Sequence, residues 1–139
     1  MFSRLLFILA LIGLLTFALA CGPRGGSATQ EIKSGTVGNL TVSLANADGV
    51  LRHGEQEFTL TFKDATGKPV DVGAAALAFH MPAMGPMAAM HTAATLTTTA
   101  TPGVYHGKAR IEMAGEWQAQ ISYEGPAGRG QGSFPVTAQ

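Results

Sequence analysis

The sequence predicts an all-β protein, an immunoglobulin-like antiparallel β-sandwich of about seven strands. Three observations carry that prediction. Beyond residue 38, apolar side chains recur at every second position, the period of a half-buried strand. Turn chemistry returns roughly every ten residues, the spacing of short sandwich strands. Glycine and proline interrupt the one alanine-rich stretch that could otherwise read as a helix.

The N-terminus stands apart from this pattern. One positive charge, Arg4, precedes an apolar run over residues 5–20, and small residues lead into Cys21. This is the layout of a secretory signal peptide. The run of 16 residues falls short of the roughly 20 that a spanning helix needs. Leu19, Ala20 and Cys21 together resemble the end of a bacterial lipoprotein signal, whose cysteine becomes the lipid-modified first residue of the mature chain. On that reading residues 1–20 are a lipoprotein signal peptide and Cys21 is the lipidation site. The protein is then exported and held by its lipid at the extracytoplasmic face of a bacterial membrane, in the periplasm or at the cell surface. An uncleaved anchor and an ordinary cleaved signal with a free thiol are the alternatives. Cys21 is the sole cysteine, so no intramolecular disulfide can form. Removing 20 of 139 residues leaves 119, enough for one domain.

Residues 21–37 read as a flexible tether, rich in Gly, Ser and Thr and without an apolar period. The domain is expected over residues 38–139. Leu40, Val42 and Leu44 alternate with polar residues, as do Phe58, Leu60 and Phe62. Asn46-Ala47-Asp48-Gly49 and Asp64-Ala65-Thr66-Gly67-Lys68-Pro69 are turns after each run. Residues 72–81 form a third strand with Leu77 and Phe79 on one face, and residues 90–98 a fourth that carries Leu96. Pro102-Gly103 turns the chain into residues 104–113, where Tyr105, Ala109, Ile111 and Met113 share a face opposite His106, Lys108, Arg110 and Glu112. Trp117, Ala119, Ile121 and Tyr123 mark the sixth strand, with Ala114-Gly115-Glu116 suited to a tight hairpin before it. Residues 133–137 make the seventh.

Charge and composition narrow the function. Nine basic and nine acidic residues balance, with no basic patch to neutralise phosphates, so nucleic acid is not an expected partner. The acids are scattered singly, and there is no nucleophile elbow and no phosphate-binding glycine loop on a helix. An enzyme is not expected.

The concentrated chemistry lies in residues 80–91, His-Met-Pro-Ala-Met-Gly-Pro-Met-Ala-Ala-Met-His. Four of the six methionines, Met81, Met84, Met87 and Met90, fall here at a spacing of three between His80 and His91. Thioether sulfur and imidazole nitrogen are neutral, polarisable ligands that favour Cu(I). The segment has no carboxylate for Ca²⁺ or Mg²⁺. Thioethers also form no disulfides, which suits an oxidising compartment. His80, Met81, Met84, Met87, Met90 and His91 are therefore the candidate ligands. A polyproline II turn would align the methionines but spread Met81 and Met90 close to 28 Å apart at about 3.1 Å per residue. One site then requires the loop to curl, with Gly85-Pro86 the place for it. Other readings stay open: Met81 and Met90 are in phase with core positions, Met84 and Met87 could form a contact surface, and exposed methionines could serve as sacrificial oxidation sites.

Three fragments resemble the YtkA-like family, related to FixH-type domains of exported or membrane-tethered bacterial proteins. They are Asp64-x-x-Gly67-x-Pro69-Val70, Met81-Pro82-x-Met84-Gly85, and Gly103-x-Tyr105 leading to Met113-x-Gly115-x-Trp117. The resemblance implies an immunoglobulin-like sandwich and a link to copper handling, with assembly of copper-containing terminal oxidases on the FixH side. Relatives often place a histidine after Met-Gly, where this chain has Pro86. The expected function is a lipid-anchored Cu(I) binder that buffers copper or delivers it to a membrane copper protein, an oxidase or an efflux complex. A metal-free interaction module or assembly factor for a membrane complex is the alternative.

Overall fold

A computed structural model describes residues 29–139 as nine strands. The expected signal peptide, Cys21 and the first part of the expected tether lie outside the described residues. The strands are β1 (Gln30–Val37), β2 (Leu40–Asn46), β3 (Gly54–Lys63), β4 (Ala74–Met81), β5 (Met90–Ala93), β6 (Thr95–Thr98), β7 (Val104–Ile111), β8 (Gly115–Gly125) and β9 (Gly128–Ala138). They form two antiparallel sheets, a five-stranded one in the order β1-β2-β3-β7-β6 and a four-stranded one in the order β5-β4-β8-β9. The all-β sandwich architecture expected from alternation is therefore observed.

The inward faces follow the two-residue period. Val42 and Leu44 of β2, Phe58, Leu60 and Phe62 of β3, and Leu77, Phe79 and Met81 of β4 are all buried, as are Trp117, Ala119, Ile121 and Tyr123 of β8. Aromatic contacts join the layers. Phe58 meets Phe79 edge to face at 5.9 Å, and Phe62 meets Tyr123 at 5.7 Å, the arrangement that ring quadrupoles prefer. Phe58 stands opposite Gly107 in the β3–β7 register, and its ring covers that glycine so closely that no Cβ could be placed there.

Three expectations change. Residues 30–37, assigned to the tether, form β1 against β2, so the domain begins before residue 38. The register shifts between Glu31 and Lys33, a bulge that breaks the alternation by which strands are recognised. Residues 90–98 are not one strand: β5 and β6 belong to different sheets and the chain crosses between them at Ala94, whose N–H donates to Leu77 C=O at 2.8 Å. Adding β1 and this division takes seven strands to nine. Finally, Ala114-Gly115-Glu116 does not close a hairpin, because β7 and β8 lie in opposite sheets. Gly115 has the positive φ expected of it, 138°, but the connection is a corner between layers. The Trp117 indole N–H donates to Met113 C=O at 3.1 Å and pins that corner.

Replacing Gly107 by Ala forces the Phe58 ring off its seat against Phe79, so the variant is expected to lose about 1–3 kcal/mol, the usual cost of overpacking. Urea denaturation of wild type and Gly107→Ala measures the loss, and an unchanged midpoint would contradict the packing described.

Candidate functional site

β4 and β5 are the two arms of a hairpin that contains every residue of the Met/His segment. His80 pairs with His91 and Met81 with Met90 in the β4–β5 register, and Met84 pairs with Met87 nearer the tip. All three pairs keep one register, without an inserted or lost residue. Pro82 has no N–H to give to the ladder, and regular strand structure stops at Met81. Pairing resumes at the tip. Met84 N–H donates to Met87 C=O at 3.1 Å, and Met87 N–H donates back to Met84 C=O at 2.9 Å.

The turn itself follows from two residues. Gly85 adopts φ 54°, the left-handed value required at the first central position of a II′ turn, where glycine is at home. Pro86 supplies the fixed negative φ of the second position. The loop thus reverses at Gly85-Pro86, where the sequence requires it to curl, and a polyproline II course through the tip is excluded by the Met84–Met87 bridge.

Alternation then sorts the side chains. Phe79 and Met81 point into the sandwich, Met81 with only 2% of its surface exposed, so His80 between them lies on the outer face. Continuing the alternation past Pro82 places Met84 on the side of His80, and counting back from His91 places Met87 there too. Met84 and Met87 are 56% and 40% exposed, the exposed large apolar side chains among the described residues. Met90 is partly buried against the core, as is Met113. A Cβ on Gly115 would stand 3.0 Å from the Met81 thioether methyl, so Met81 is packed at the corner between β7 and β8.

The six candidate ligands are accordingly divided. Met81 and Met90 form a pair on the core side, and the packing reading left open for them matches this placement. His80 and His91 form an outer pair with ring centroids 6.3 Å apart and planes inclined at 54°. That spacing is the ordinary separation of cross-strand side chains that share a face. Met84 and Met87 form the third pair. As a hydrogen-bonded cross-strand pair their Cα atoms are about 5.5 Å apart with side chains on the same face, so two thioethers can meet above the tip.

Four residue steps along each arm separate the imidazole pair from the thioether pair, about 13 Å at the rise of extended chain. A straight hairpin presents them as two stations, one nitrogen pair and one sulfur pair. No acid, lysine or arginine occurs between His80 and His91, and no group of three or more His, Cys, Asp or Glu converges as a metal site among the described residues. Any metal bound at the tip would rest on thioethers, the donors of a soft ion. One neighbour had no signal in the sequence. Gln118 of β8 lies opposite His80 in register and is half-buried, a placement that only long-range strand pairing could reveal. His53 and His106 are exposed and lie off the hairpin, His53 just before β3 and His106 on β7 of the other sheet.

The model of the YtkA-like family matches residues 35–122, which include the whole hairpin and most of both sheets. No curated protein and no solved structure matches the chain.

The division of the methionines has a direct measure in stability. Met81→Ala should cost about 2–5 kcal/mol, as for other buried methionines, whereas Met84→Ala should stay within about 0.5 kcal/mol of wild type, as for surface changes. Denaturant midpoints of the two variants that agree with each other would contradict the inward and outward assignments.

Proposed function

The chain belongs to the YtkA-like family, and from that premise we propose that it is a lipid-anchored extracytoplasmic protein that binds Cu(I) at the β4–β5 hairpin and either buffers it or delivers it to a membrane partner. The single observation that carries this reading is the pairing of His80 with His91 and of Met84 with Met87 on the outer side of one hairpin. Neutral, soft donors in cross-strand pairs suit a monovalent soft ion. The absence of carboxylates from the segment works against hard divalent ions.

The two stations have different chemistry. The thioethers at the tip are exposed and need no deprotonation to bind, so they suit capture and release. The imidazole pair lies at the base, with His80 half-buried and His91 exposed, and binds only through neutral nitrogen. Delivery to an oxidase or efflux complex at the same membrane would use the tip as the point of exchange. FixH-like participation in oxidase assembly belongs to the same reading.

Anaerobic competition titration with Cu(I) tests the proposal. Met84→Ala/Met87→Ala and His80→Ala/His91→Ala are each expected to weaken binding by roughly 10-fold or more, the scale on which metal sites respond to loss of supporting groups. Equal affinity in wild type and the methionine variant would remove it.

The exposed apolar tip also supports a metal-free role as an interaction surface, since methionine side chains adapt to varied partners. Capture of a membrane complex by the protein should then persist under a strong copper chelator; if copper exchange is the function, chelation abolishes capture.

A further inference from the structure

The topology places the methionine tip and the start of the domain at the same end of the sandwich. β1 begins at Gln30 beside Asn46, the last residue of β2. Gly54 at the start of β3 pairs with Ile111 at the end of β7, and Gly115 at the start of β8 pairs with Ala138 at the end of β9. His80 pairs with Gln118, three residues along β8 from Gly115. The hairpin tip therefore projects from the pole at which β1 starts. The turn at Gly38-Asn39, the Asp64 turn, Gly103 and the turn before Gly128 occupy the opposite pole.

Chain length converts this into an orientation. Nine residue steps separate Cys21 from Gln30, which span about 30 Å at most. β1 itself sets Gln30 about 26 Å from the turn at Gly38-Asn39 on the far pole. The far pole could reach the surface that holds Cys21 only with the connecting residues drawn out almost fully along the side of the domain. The near pole reaches it at any ordinary extension.

We propose that the tip over residues 82–89 rests on the lipid bilayer that carries the anchor, so that Met84 and Met87 lie at the membrane surface. The proposal rests on the reading of Cys21 as lipidated and is independent of copper. The chemistry of the tip fits a bilayer. Pro82, Ala83, Met84, Gly85, Pro86, Met87, Ala88 and Ala89 carry no charge and no polar side chain, and all are exposed. Charges elsewhere on this pole are mixed, with Glu31, Asp48, Glu112 and Glu116 against Lys33 and Arg52. Contact would therefore draw on apolar burial at the lipid interface and not on attraction to anionic headgroups.

The test uses the full chain, lipidated in a bacterial host and reconstituted in phosphatidylcholine vesicles that hold no other protein. Ala88→Cys puts a label on the tip, and Ala65→Cys puts one on the exposed turn of the far pole. Quenching of an attached fluorophore by doxyl-labelled lipid is the readout. Quenching several-fold stronger at position 88 than at position 65, unchanged by a copper chelator and reduced by Met84→Asp/Met87→Asp, is the expected result. Equal quenching at the two positions, or none at 88, overturns the proposal; absence at 88 is also what docking only on a membrane protein would give. Sedimentation of the same vesicles separates the causes. Wild type that fails to stay with the vesicles overturns the anchor reading together with this one, whereas retention with equal quenching overturns the contact alone and leaves the anchor standing.

Discussion

The pleat of β4 is the constraint on which the molecule turns. Leu77, Phe79 and Met81 must all face the second sheet, and burying each large apolar side chain stabilises the fold by about 1.5–3 kcal/mol. A slip of one residue would turn all three to solvent and draw His80 and its alanine neighbours inward. Because that alternative is so unfavourable, His80 is held outward, and the β4–β5 register then sets His91 beside it. The outer face of the hairpin is thus a by-product of packing on the inner one. No residue at the tip needs to contribute to stability for the pairs to form.

Strand positions were legible in the sequence wherever a strand has one buried and one wet face. β2, β3, β4, β7 and β8 read directly from Val42, Leu60, Phe79, Ile111 and Ile121 and their neighbours. β1 did not, because Ile32 sits at a bulge and Gly35 leaves its face to the ring of Phe134 from β9. The crossing at Ala94 leaves no local mark either, since a threonine-rich run looks alike in either sheet. Gly115 signalled a change of direction correctly, yet a positive φ, whatever its value, serves both a hairpin and a corner between layers. What separates them is which distant strands pair, and that is not a local property.

The candidate site shows the same division. The reversal at Gly85-Pro86 was legible from glycine and proline chemistry, and the outward parity of His80 from the alternation of β4. The separation into an imidazole pair and a thioether pair was not, because it depends on the hairpin keeping one register through a segment where Pro82 interrupts the ladder. The even spacing of the four methionines suggested one row of donors. A period of three laid on a strand with a period of two instead sends Met81 inward and Met84 outward, and the mirror arm repeats this with Met90 and Met87. Outside the hairpin, the exposed pairs Lys108–Glu57 and Arg110–Glu55 on the five-stranded sheet, at 2.9 and 3.7 Å, are of the solvated kind that contributes little to stability.

Each lateral margin of the sandwich is guarded against a stray neighbour. β5 and β6 are four residues long and divide their run between two sheets, too little ladder for another chain to extend. β1 carries its bulge and Lys33, and β9 carries Pro135, which has no N–H to offer. Short, kinked, charged or proline-bearing margins are how β proteins avoid edge-to-edge polymerisation. A domain held among copies of itself at high local concentration would meet that hazard more often than one in dilute solution, and margins of this kind limit it.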